Sequence, residues 1–393
     1  MNTPVVSLDP PRDGVLRAAA HALGGSEALI PSICVQNHAA NLMPLMNGDL
    51  ACVWFGGTQE GIPDISIWFA RLAKDAAAWS EPRKLSDDPT RSEQNPILFD
   101  APDGTLQLYW TAQVNGRQDT AFVRRRISAD NGATWGAIET AIEEPGTFIR
   151  QPLVVRPDGA WLMPLFLCRT TPGIAWVGDD DVSAVAISTD QGRTWRRVEV
   201  PDSLGAVHMN IVAIAGNEFA AFFRSRWADH VRASRSFDGG ETWSPVEDLD
   251  LPNNNASIQV TRLSDGRLAM VMNWSSREDA KERRLSLYDE IEDPGAGKAK
   301  EIVPESLRPT AFWGAPRAPM TLVVSSDGGR SWPVRIDLEQ GDGFCLSNNS
   351  KDSKNRELSY PSIVQDADGR VHVAYTWFRK AIKHLSFELP RSS

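Results

Sequence analysis

Residues 128–135 read SADNGATW, and the same octet, Ser-x-Asp-x-Gly-x-Thr/Ser-Trp, returns as STDQGRTW at 188–195, SFDGGETW at 236–243 and SSDGGRSW at 325–332. Asp and Gly supply the side-chain-to-backbone bonds and positive φ of a tight turn. Thr and Trp then resume a strand and pack a large ring between neighbouring units. The octet is therefore a hairpin signature, and its repetition points to an architecture built from copies of one unit.

A second periodic mark is a turn that follows a short apolar strand: Asn47-Gly48, Asp103-Gly104, Asp158-Gly159, Gly216-Asn217, Asp265-Gly266 and Asp368-Gly369. The first five of these glycines lie 50 to 57 residues apart, with alternating stretches such as TLQLYW and RLAMVMN between them. That period suits a four-stranded propeller blade, and six turns predict an all-β, six-bladed β-propeller. The interval from Gly266 to Gly369 is about twice the others, but it holds one octet and a polar stretch that does not alternate. The expectation is one domain over residues 1–393 with an insertion at 275–316 in blade five. After VHVAYTW and AIKHLSFEL the chain has room for only three strands, so the N-terminal TPVVSLD is expected to add the fourth and remove the open edge.

Composition narrows the function. A formal charge of -10 with a pI near 5.2 argues against general nucleic-acid binding, which depends on neutralising phosphates. No apolar run approaches the roughly 18 to 20 residues of a membrane helix. The first 25 residues lack the basic start and continuous apolar core of a secretory signal, so a cytoplasmic location is expected. Cys34, Cys52, Cys168 and Cys345 have no metal-ligand spacing, which suggests neither a zinc site nor a disulfide framework; no metal or cofactor is expected.

With these octets the sequence resembles the sialidase superfamily, whose Asp boxes mark the outer hairpins of a six-bladed propeller. HAANLMPLMNGDLACVWFGGTQEGIPD, NNNASIQVTRLSDGRL and ELSYPSIVQDADGRVHVAYTWFRKAIKH look like its BNR-repeat group. The resemblance places the Asp boxes opposite the active face and puts a carboxylate-binding arginine ten residues before the first turn glycine, where this chain has His38. It puts the nucleophilic tyrosine nine residues before the last turn glycine, at Tyr360. The activating glutamate would fall at Ser257 and a second arginine at Asn273, so both are replaced. A phenol is a poor nucleophile unless a carboxylate takes its proton, so little or no sialidase activity is expected.

The first-strand entrances and the loops facing them nevertheless converge on a polar mouth. His38, Tyr360 and Asp64 are the candidate catalytic residues. Asn37, Asn41, Asn95, Arg150, Gln151, His208, Asn210, Arg224, Arg226, Asn255, Ser257, Arg317, Trp377 and Arg379 are the candidate binding residues. Amides, guanidiniums and aromatic faces suit a saccharide, and an acidic oligosaccharide is the expected partner. Asp179 to Asp181 are read as a solvated loop, and His384 as an inter-strand hydrogen bonder. Blades six and one meet at the closure, so His38 and Tyr360 should approach one another. That pair suits proton transfer at the carbon beside a carboxylate, as in a uronate lyase, with Arg150, Arg224 or Arg379 neutralising the carboxylate. Propeller enzymes that resemble sialidases include lyases acting on ulvan and on rhamnosyl-glucuronate ends, and rhamnosidases. An exo-glycosidase with Asp64 as its acid, and a propeller that only binds sugar, are the alternatives.

Overall fold

The apolar strands of this chain are buried on both faces, as in LACVWFGG at Leu50–Gly57 and SIWFARL at Ser66–Leu72, because each sheet packs against a neighbour on either side. A computed structural model describes residues 9–390 apart from Leu285, Asp289, Asp293, Pro294, Ala296, 300–307 and Asn348. It contains six antiparallel sheets, the blades of a propeller. Blade one runs outward through Gln36–Pro44, Leu50–Gly57, Ser66–Leu72 and Arg83–Lys84. Its outermost strand is short, charged and exposed, which blunts a sheet edge against pairing with another chain.

Blades two and four repeat this order, beginning with Ser92–Asp100 and Ala206–Ala215. Blade three has a broken first strand, Thr147–Phe148 and Val154–Val155, both paired with Trp161–Leu167. Blade five begins with Gln259–Arg262, and residues 274–319 connect its second strand, Leu268–Asn273, to its third, Met320–Ser325. Blade six begins with Leu358–Gln365, continues through Val371–Trp377 and Ala381–Phe387, and is closed from the N-terminal side.

The closing strand is Ser26–Ile30, paired from Ser26 with Ser386 to Ile30 with Ile382, and Arg17–Ala18 adds a short fifth strand. The TPVVSLD segment lies outside the described residues except for Asp9. SEALI closes the ring because Leu29 joins the apolar cluster between blades five and six, while Ala28 and Ile30 join the one between blades six and one.

All four octets form the same cap between third and fourth strands. In the first, Ser128 Oγ donates to Asp130 and accepts from Gly132 N at 2.7 Å, while Asp130 accepts from the Thr134 N–H and hydroxyl. These donors hold the Asp130 carboxyl down at about 2. Guanidiniums from the preceding blade grip the caps: Arg71 reaches Asn131 O, Arg125 reaches Gly192 O at 3.1 Å, and Arg235 reaches Gly328 O at 2.9 Å. Each inner strand runs from the mouth toward the first turn, so two further strands return the chain to that same far end. The caps therefore lie opposite the mouth.

Candidate active site

Inner strands line the axis, and at the mouth their pairing breaks. Register shifts fall between His38 and Asn41, Gln94 and Ile97, Val207 and Asn210, and Ser359 and Ser362. At each shift one residue adopts a left-handed conformation: Ala39 (φ 59°), Asn95 (φ 50°), His208 (φ 55°) and Tyr360 (φ 52°). Asn255 (φ 56°) does the same just ahead of the blade-five inner strand, and blade three interrupts its strand around Arg150 and Gln151. A bulge bends the strand and re-aims a side chain. Left-handed backbone at a residue with a Cβ costs roughly 1–3 kcal/mol, and its repetition at one end of the propeller marks the place where side chains are turned toward the axis.

Tyr360 is the centre of this arrangement. Its ring lies 4.2 Å from that of His38 and 5.6 Å from that of His208, centroid to centroid. Arg224 donates from Nη1 to the Tyr360 oxygen at 2.5 Å and from Nε to Asn255 Oδ1 at 2.7 Å. Arg150 and Arg317 lie beside the Tyr360 ring at 5.5 and 5.6 Å from its centroid. His38 Nδ1 is 2.8 Å from Thr376 Oγ1. Among the described residues, His38 Nε2, His208 Nδ1, Arg224 Nη2, Asn95 Oδ1 and both Nε and Nη1 of Arg150 are buried without a hydrogen-bond partner.

The charges around Tyr360 do not cancel. Arg379 pairs with Glu60 at 2.5 Å and with Glu357, Glu357 also holds Arg317 at 2.5 Å, and Arg226 pairs with Asp181 at 2.6 Å. Arg150 and Arg224 have no carboxylate partner among the described residues. Burial lowers the two guanidiniums to about 10 and about 9 respectively, so both stay charged at neutral pH. Although burial opposes its charge, Arg317 and Arg379 hold Glu357 well below the usual glutamate range. Burial, reinforced by Arg379 at His38 and by Arg224 at His208, keeps both imidazoles neutral. The result is a neutral histidine pair and a phenol beside two uncompensated positive charges.

Several residues expected at the mouth serve other purposes. Asp64 is exposed, with its carboxylate turned back onto Thr58 N and Oγ1; Glu60 points into the site instead. Asn41 Oδ1 accepts from Leu98 N at 2.9 Å and Asn210 Oδ1 from Val260 N at 2.8 Å. Gln151 bonds Ser257 Oγ and Ile258 O. These groups staple neighbouring inner strands, whose edge N–H and C=O groups face the axis and need partners. Asn37 is committed to Ser32, Trp54, Cys34 and Lys380. Trp377 points outward, where Nε1 donates to Glu339 and the ring stacks on Phe378. Asp181 is fully buried rather than solvated. His384 bonds His372 on the adjacent strand, as expected.

The assembled group comprises His38, Asn95, Arg150, His208, Arg224, Asn255, Arg317, Tyr360 and Arg379, with Glu60, Glu357 and Thr376 added by the structure. None of the twelve is more than 5 % exposed. Part of the cover comes from the blade-five connection, whose Trp313 ring lies 5.6 Å from the Arg224 guanidinium carbon and 5.1 Å from that of Arg226.

The fold is that of solved sialidases and trans-sialidases. A structure titled Hadza microbial sialidase Hz136 matches with a TM-score of 0.66 at 14% identity, over 90% of this chain and 66% of that one. A protein of unknown function from Dyadobacter fermentans matches with a TM-score of 0.66 at 17% identity, over 96% of this chain and 100% of that one. The intramolecular trans-sialidase from Ruminococcus gnavus matches with a TM-score of 0.62 at 12% identity, over 97% and 99% of the two chains. No curated protein matches the sequence. The BNR repeat-like domain family matches residues 48–373, which is most of the propeller, and this chain belongs to that family.

Proposed function

We propose that this propeller is a carbohydrate-active enzyme that works on the end of an acidic oligosaccharide and cleaves it as a uronate-type lyase. The observation that carries the reading is the Tyr360 phenol, held by Arg224 and packed on a neutral His38, with no carboxylate bonded to it among the described residues to make it a nucleophile. Glu357 stands only three residues from Tyr360, but its oxygens are taken by Arg317, Arg379, Ser359 and Asn355. That supports the lyase reading over the hydrolytic one, in which a carboxylate accepts the tyrosine proton.

In the proposed reaction Arg224, backed by the charge of Arg150, receives the uronate carboxylate and stabilises the negative charge that spreads onto it. His38 removes the C5 proton through Nε2, the ring nitrogen without a protein partner. The C–H electron pair forms the C4–C5 double bond as the C4–O bond breaks. Tyr360, whose oxygen accepts from Arg224, gives its own proton to the departing oxygen, and the two residues exchange protons back through solvent. Burial is the main reason His38 is neutral, and the incoming carboxylate offsets the guanidinium field that adds to it, which raises the basicity of His38 when substrate is bound.

Incubation with rhamnosyl-glucuronate or ulvan oligomers is expected to give the ultraviolet absorbance of a 4,5-unsaturated uronate, while sialosides stay intact. New reducing ends without that absorbance would make the enzyme a glycosidase. Tight binding without turnover across acidic glycans would make it a sugar-binding propeller.

A further inference from the structure

Two neutral imidazoles flank Tyr360, and the proposed reaction uses one of them. In a ring of six blades the fourth stands opposite the first, so His208 and His38 reach the phenol from opposite sides of the axis. Their ring centroids lie 5.6 and 4.2 Å from that of Tyr360. Each keeps one buried ring nitrogen without a hydrogen-bond partner among the described residues, Nδ1 in His208 and Nε2 in His38. By distance and burial alone, either could take a proton from a substrate.

Hydrogen-bond chemistry separates them. Arg224 Nη1 lies 3.4 Å from His208 Nε2, and a guanidinium nitrogen can only donate. His208 Nε2 is therefore the acceptor. Burial, reinforced by Arg224, keeps this ring neutral, which leaves its single proton on Nδ1. A ring nitrogen that already carries hydrogen has no lone pair with which to act as a base. Moving the proton to Nε2 would set one donor against another at Arg224. His38 escapes this lock, because its Nδ1 faces the Thr376 hydroxyl at 2.8 Å, a group that can accept as well as donate. The lock also serves Arg224. Nη1 carries one hydrogen for Tyr360 and one for His208, and Nε is held by Asn255, so Nη2 alone is left for a ligand.

We propose that His208 is a positioning residue whose tautomer Arg224 locks, and that proton removal is thereby confined to the His38 side, so the site takes a uronate of one C5 configuration and rejects its epimer. The specificity rests on the lyase reading of the axis, whereas the locked tautomer stands without it. A carboxylate seated on Arg224 fixes C5, and the two epimers then point their C5 hydrogens to opposite sides. Only one of those sides holds a base. On the other, the unpaired Nδ1–H of His208 is a donor for a sugar oxygen.

NMR of the full chain, with its histidines labelled with heavy nitrogen, reads the tautomer without any substrate. The His208 signals, assigned by their loss in His208→Gln, are expected to show hydrogen on Nδ1 and a lone pair on Nε2. Glutamine keeps an acceptor for Arg224 and a donor beside it but cannot be a base. His208→Phe keeps a ring against Tyr360 and Phe166 and removes both polar groups. His208→Asn serves should either variant not fold. Turnover is followed by unsaturated-uronate absorbance on paired oligomers that differ only in glucuronate or iduronate at the cleaved residue.

Wild type is expected to favour one epimer by about 100-fold, the usual penalty for a misplaced reacting atom. His208→Gln is expected to keep that preference with kcat within about threefold, while His208→Phe loses about 10- to 100-fold in kcat/KM, as for a lost hydrogen bond to a charged group. Hydrogen on Nε2 overturns the lock. Glutamine as damaging as phenylalanine makes His208 an acid or base, and phenylalanine without effect makes it packing; either overturns the positioning role. Comparable turnover of both epimers overturns the one-sided site. No unsaturated product from either epimer sinks the lyase reading and the specificity with it, while the NMR spectrum still decides the lock.

Discussion

Arg224 reaches Tyr360 with one nitrogen and Asn255 with another, at 2.5 and 2.7 Å, so one guanidinium fixes the phenol and is itself fixed. Tyr360→Phe removes the proton donor but keeps the ring against His38. Turnover is expected to fall about 10²- to 10⁴-fold, the usual range for a lost general acid, with the circular dichroism spectrum and melting temperature nearly unchanged. Arg224→Lys keeps a charge but cannot span both partners, and is expected to lose activity comparably. Steady-state kinetics on a glucuronate-ended oligomer measures both.

Glu357 is the electrostatic keystone between Arg317 and Arg379, and sequence spacing gave no hint of it. Replacing it with Gln leaves the buried Arg317 without its carboxylate partner and Arg379 with Glu60 alone, and is expected to cost about 3–5 kcal/mol, read from the urea midpoint. The acid limb follows from its depressed pKa. Glu357 contributes stability above the unfolded glutamate value of about 4.3, and that contribution is lost as pH falls toward the folded value. Glu357→Gln is expected to flatten stability against pH below that point.

Four buried histidines control a second pH window. Trp79 Nε1 can only donate, so His384 Nδ1 accepts from it at 3.2 Å. His384 Nε2 then donates to His372 Nδ1 at 3.1 Å, and His372 Nε2 donates to Asp366 at 3.0 Å. This chain of bonds fixes both rings as neutral tautomers. Burial lowers the pKa of His38, His208, His372 and His384 alike. For such groups stability is complete above the unfolded value of about 6.5 and declines as pH falls below it, by up to about 1.4 kcal/mol per histidine per pH unit. Urea midpoints are expected to drop steeply from pH 7.5 to pH 5.5, and substituting His384 with Phe is expected to lower the pH 7.5 midpoint while reducing that drop.

The Asp-box caps separate stability from chemistry. Asp238 accepts from Thr242 N, Thr242 Oγ1 and Ser236 Oγ at 2.6 to 2.9 Å, at the end of blade four away from the mouth. Asp238→Ala is expected to lower stability by about 1–3 kcal/mol, with kcat per folded molecule unchanged at moderate temperature. Thermal unfolding and turnover on one preparation test both halves.

The fold was legible because turn chemistry repeats: Asp-x-Gly caps and Gly turns recur at blade spacing, and the αL residues Asn95 and Tyr360 each stand nine residues before a turn glycine. The same count leads to Arg150 in the interrupted strand. What stayed hidden depends on contacts between blades far apart in sequence. Glu60 and Arg379 form a pair that no local pattern announces. Asn41 and Asn210 misled for a different reason: an amide suited to a sugar hydroxyl is equally suited to a strand-edge N–H, and only the neighbouring blade decides which it meets.

The left-handed residues at the mouth also separate heredity of shape from heredity of chemistry. In blades one, two, four and six the ladder resumes immediately beyond the bulge, so the displayed residue carries little of the hydrogen bonding that holds its sheet. Ala, Asn, His and Tyr already share that conformation in one molecule. Such a ring behaves like a turret with interchangeable tools, in which a single codon change per blade can retool the axis while the sheets beneath keep their register.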